Sequence, residues 1–189
     1  MTKYKPLNPD AKKMEEAFFA QQNAKLLEKL RQEARKKERR EALGAALKVK
    51  NEDVIDALIE LDLYPETVVA LGLVPLVEVA WADGKIDEKE RNAVLSGAEA
   101  NGIVSGSPSH ELLESWLARR PDARLLEVWG EYIVGLCAKL GDGEKAAVKE
   151  KVIGRAREVA KSAGGFLGLG TKISPEEEVM LRDLEKAFE

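Results

Sequence analysis

The chain has 189 residues, 44% hydrophobic and 34% charged, enough apolar material for one sizeable core with an appendage. A single cysteine, Cys137, excludes an intramolecular disulfide, and a single histidine, His110, excludes the usual histidine-rich zinc sites. The net charge of −4 is unevenly spread, with 14 Lys and Arg against 7 Asp and Glu in residues 1–50, and 16 against 27 in the rest, so a basic helical arm over 1–50 and a body over 51–189 are expected.

The first residues, Met1-Thr2-Lys3-Tyr4-Lys5-Pro6, lack the apolar stretch of a secretory signal. The longest apolar run, residues 68–82, contains Gly72, Pro75 and Glu78 and is shorter than the roughly 18 residues of a spanning helix. A cytoplasmic location is therefore expected, with the apolar run as a core segment broken near Pro75.

Residues 12–43 contain no proline or glycine, and Met14, Phe18, Phe19, Leu26, Leu27, Leu30 and Ala34 approximate a helical stripe that disappears into the charged run 35–41. Two readings stay open for this arm. It is either a solvated helix packed back on the body at its aromatic end, or a docking element for a partner helix or an acidic surface. Nucleic acid is not expected as a partner, because the acidic body repels phosphate.

After Asn51, a helix cap, the pattern predicts helices over 54–61, 67–82, 88–101 and 108–119, the last following a Ser107 cap. Residues 124–140 place Leu125, Val128, Trp129, Tyr132, Ile133, Leu136 and Leu140 at amphipathic spacing. Gly141-Asp142-Gly143 closes that helix, and two more follow over 144–163 and 175–188. No alternating strand pattern competes. The expected fold is all-α, a bundle of about seven helices after the arm, with an internal helix-turn-helix duplication.

That duplication is the most informative feature. Val79-Ala80-Trp81-Ala82-Asp83-Gly84 returns as Val159-Ala160-Lys161-Ser162-Ala163-Gly164, and Ile86-Asp87-Glu88-Lys89-Glu90 returns as Ile173-Ser174-Pro175-Glu176-Glu177. The later copy holds an insertion, residues 165–171. Each copy reads as a helix stopped by a glycine and a second helix started by a capping box, Asp87 with Glu90 and Ser174 with Glu177. Pro175 stands at the favoured first helical position. Set on a calcium loop with Gly84 at its glycine, Asp83, Ile86, Asp87 and Glu90 fall on the fifth, eighth, ninth and twelfth positions, but Val79 and Trp81 offer no oxygen at the first and third. A true EF-hand is excluded.

The segment 79–90, with the weaker copy 172–177, resembles the TerB-like family, the tellurite-resistance helical domain also found at the start of a membrane-anchored DnaJ-type co-chaperone. The resemblance covers roughly residues 70–189. It implies an all-helical, non-enzymatic domain of stress-response assemblies, whose clustered acidic residues hold a metal ion. Asp83, Asp87 and Glu90 match the acidic signature in the first copy and Glu177 in the second, whereas Ala163 stands where the first copy has Asp83. These four residues are the candidate metal ligands, with Ca2+ as the ion, set against a role as helix caps alone.

Other signals are weaker. Residues 165–172, Gly-Phe-Leu-Gly-Leu-Gly-Thr-Lys, mimic a phosphate loop, but the Thr-Lys order is reversed and a helix precedes them. Phe166, Leu167 and Leu169 either tuck onto the core or form an apolar tip that meets a membrane or protein partner. His110 reads as a surface residue, and Cys137, Trp81, Trp116 and Trp129 as core. No nucleophile and base are paired, and the acidic corner reads as exposed, so no enzyme is expected. The alternative function is a metal-free helical adaptor whose arm and apolar loop bind protein or membrane partners.

Overall fold

The structure, a computed structural model, describes residues 9–48, 50–163 and 173–189. The chain divides into two compact units, Met1–Glu41 and Ala42–Glu189. The inserted segment 165–171, with its phosphate-loop look-alike and Phe166, Leu167 and Leu169, lies outside the described residues.

Helix α1, Pro9–Leu47, contains a long stretch free of helix breakers. Pairs one turn apart line it, Lys29 with Glu33 and Lys37 with Glu41, both at 3.9 Å, and Gln32 donates to Glu28 at 3.2 Å. Exposed pairs of this kind contribute only about 0.2–0.5 kcal/mol each. In the first unit Met14, Phe18, Phe19, Leu26, Leu27 and Leu30 are all exposed.

The arm was expected to run to residue 50, but the compact body begins at Ala42, because the last turns of α1 carry Leu43 and Leu47, both buried in the body's core. Lys48, in the left-handed conformation at φ 55°, ends the helix, and its carbonyl accepts a hydrogen bond from Lys139 Nζ at 2.7 Å.

Among the described residues the body is helical throughout and has no strand. Asn51 caps α2, Glu52–Glu60, by accepting from the Asp53 and Val54 N–H groups. The segment expected as one helix broken near Pro75 is a 3-10 turn, Val68–Leu73, followed by α3, Val74–Ala80, with Pro75 in its first turn where no N–H is needed. Then come α4, Glu88–Ala100, α5, Pro108–Ala118, and α6, Arg124–Cys137. Helix α7, Asp142–Ala163, starts before the expected Glu144. The Gly141 carbonyl already accepts from Lys145 N, and Glu144 reaches back to the Gly141 N–H, both at 2.9 Å, so Gly143 falls inside the first turn. Helix α8, Pro175–Glu185, and a 3-10 turn, Lys186–Phe188, end the chain.

All seven residues of α3 are buried, and this short helix is the axis of the body, packing against α4, α6, α7 and α8. Helix α4 also packs on α7. Each helix-turn-helix copy thus lays its first helix, α3 or α7, on the second helix of the other copy, α8 or α4. Trp129 on α6, 1% exposed, meets Phe188 edge-on at 6.2 Å and closes the far side of the core.

Candidate cation site

The site lies at the two duplicated corners. In the first, the chain leaves α3 through Trp81, whose indole N–H donates to the Trp116 carbonyl at 2.8 Å, and turns at Gly84, φ +89°, a conformation that penalises any side chain. Asp83 stabilises the turn by accepting from the Lys85 N–H at 3.1 Å. Ile86 then packs against the core, and in the second corner Ile173 does the same at the matching position. One residue later each copy caps its next helix. Both anticipated capping boxes are complete.

In the first box Asp87 Oδ1 accepts from the N–H groups of Lys89 and Glu90 at 2.8 and 2.9 Å, while Glu90 Oε2 accepts from the Asp87 N–H at 2.7 Å. In the second, Ser174 Oγ accepts from the Glu177 N–H at 3.2 Å, and Glu177 Oε2 accepts from the Ser174 N–H at 2.6 Å. Both glutamates therefore commit Oε2 to their own helix and leave Oε1 outside the box. They are also the buried members of the set, at 5% and 4% exposure, whereas Asp83 and Asp87 are exposed.

An exposed corner with nothing to raise a pKa was expected, and for Glu90 that is corrected. Burial pushes its carboxyl up to about 7, and the negative charges of Asp87, Asp83 and Glu177 push the same way against the lowering effect of the Asp87 N–H. Glu177, 87 positions away in sequence, thus lies within electrostatic reach of Glu90. Its Oε1 is buried without a hydrogen-bond partner. Among the described residues no lysine or arginine forms an ion pair with either glutamate.

The donor set is all oxygen, which suits a hard divalent cation such as calcium. The orphaned Glu177 Oε1 is an atom such an ion would satisfy. Among the described residues, however, no three His, Cys, Asp or Glu side chains are grouped to hold an ion on their own. For such an ion Glu90 and Glu177 would offer the Oε1 atoms that their capping boxes leave over, Asp83 and Asp87 would add their charge beside Glu90, and backbone carbonyls and water would have to complete the shell.

Sequence reasoning missed a third buried carboxylate, Glu78 on α3, which is 2% exposed and bonds Arg120 at 3.1 Å. The glutamate inside the run 68–82 was its only signal. His110 was expected at the surface, but its side chain is only 12% exposed, with Nδ1 3.6 Å from Glu114, a residue that also holds Arg91 of α4 at 3.3 Å. Cys137 is buried, as its helical position implied.

No family model, curated protein or solved structure matches the chain. Among the described residues no helix is long and apolar enough to cross a membrane.

Proposed function

We propose that this chain is a non-enzymatic, TerB-like helical module that takes up a divalent cation, calcium in the first instance, between the duplicated corners and works within a stress-response protein assembly. One observation carries the reading. Glu90 and Glu177, from different copies, are buried within reach of each other's charge, and neither has a basic partner among the described residues. A buried charge left unmatched is expensive, so such a pair favours a proton or a cation between its members. A cation there would draw the start of α4 toward the start of α8, and so tie the two copies together.

Calorimetric titration of calcium into the chain tests this. Binding is expected, and Glu90→Gln and Glu177→Gln should each weaken it severely while preserving the capping boxes, since glutamine also serves at that position. Equal binding by both variants would move the ion elsewhere, and no binding at all would leave the corners as caps.

A metal-free adaptor is favoured instead by the lack, among the described residues, of a three-ligand acidic group and by the exposed apolar residues of α1. In that reading Glu90, whose carboxyl burial pushes up to about 7, is neutralised by a proton and not by an ion, and the arm carries the partner-binding role.

A further inference from the structure

Beside α8 runs a groove of about 280 Å³ lined by Ala82, Glu176, Val179, Met180 and Asp183. The four α8 residues are spaced i, i+3, i+4 and i+7, so they form one stripe along the helix, opposite in role to the buried stripe of Leu181 and Leu184. Its middle is apolar, with Val179 49% exposed, and both its ends are acidic and exposed. Asp183 also contacts Lys186 at 2.6 Å, but that pair is itself exposed and three residues apart, a weak and exchangeable partner. Such a surface fits an amphipathic helix that offers aliphatic side chains between basic ones.

In α1, Leu26, Leu27 and Leu30 are each more than half exposed, and the charges among them are mixed but in basic excess, Lys25, Lys29 and Arg31 against Glu28 and Glu33, of which Lys29 and Glu33 form an exposed and exchangeable pair. Met1–Glu41 holds 12 Lys and Arg against 7 Asp and Glu, whereas Ala42–Glu189 holds 18 against 27. We infer that the basic α1 segment of one copy docks on the acid-rimmed groove beside α8 of a second copy, so that the chain assembles with itself. Charge selects this occupant over an anionic lipid surface, because the acidic body would be repelled from such a surface along with whatever the arm gained. The contact joins two different patches, so it propagates head to tail or closes into a ring. It does not depend on cation binding at Glu90 and Glu177.

Sedimentation velocity of the full chain over a range of concentrations is the test. Reversible association is expected at low salt and should weaken as sodium chloride is raised. Glu176→Lys with Asp183→Lys should weaken it roughly tenfold or more by placing like charges together. Adding Lys29→Glu and Arg31→Glu to that variant should restore it, which a merely misfolded groove would not allow. A chain that stays monomeric at every concentration overturns the inference, whether α1 serves its own body or, as co-sedimentation with anionic vesicles would show, a membrane. Association untouched by the groove substitutions also overturns it.

Discussion

Glu78 and Glu90 are both buried carboxylates, and they differ in what neutralises them. Glu78 has Arg120 at 3.1 Å, whereas Glu90 has three further carboxylates as its charged surroundings. Its folded-state carboxyl therefore keeps its proton up to about pH 7, while the unfolded chain loses it near 4.5. Between those values the folded state binds more protons than the unfolded one, so stability should fall as pH rises through this window in cation-free buffer, by as much as ~3 kcal/mol from this group. Glu90→Gln should flatten that slope and raise the denaturation midpoint at pH 8. A variant with the parent's slope would show that Glu90 is ionised at no cost. The caps were legible in the sequence, because Asp87 with Glu90 and Ser174 with Glu177 exchange side-chain-to-backbone hydrogen bonds three residues apart, set by local geometry. The burial of Glu90 was not, because the groups that enclose and charge it include a helix 87 positions further on.

At the level of elements, α4 meets α3 at Gly97, where an added Cβ would lie 2.7 Å from Leu76 Cδ2. Leu76 is only 2% exposed, but with Gly97 it lines a groove of about 280 Å³, so the clash is relieved either by turning the leucine or by moving α4. Gly97→Val should cost about 1–3 kcal/mol in urea denaturation, by forcing α4 away from α3. An unchanged midpoint would mean that the leucine repacks freely. Helix positions were largely readable, since Asn51, Ser107, Pro175 and Gly102 are punctuation that acts locally. The departures came where a tertiary or backbone bond outranked the pattern. Residues 68–73 form a 3-10 turn packed against α5, and α7 begins at Asp142, where the Glu144 carboxylate accepts from the Gly141 N–H although Gly141 has no capping side chain of its own.

For the whole molecule, the all-helical class followed from periodicity, but the start of the body did not, because the charge run of α1 hides two leucines that belong to its core. A fragment of residues 42–189 should melt cooperatively. One of 51–189 should be weaker by about 1.5–3 kcal/mol for each of Leu43 and Leu47, and equal stability would show that both are dispensable. The reciprocal packing of α3 on α8 and of α4 on α7 is likewise a property of the assembled body, and it is what brings the two corners within reach of each other. The most direct test is the melting temperature of the full chain in calcium, beside sodium chloride of equal ionic strength. A free cation concentration a hundredfold above its dissociation constant stabilises the folded state by about 2.7 kcal/mol, or about 5–10 °C for a domain of this size. That rise should appear in calcium alone and vanish in Glu90→Gln with Glu177→Gln. A rise matched by sodium chloride, or one that survives in the double variant, would contradict a cation held between the two corners.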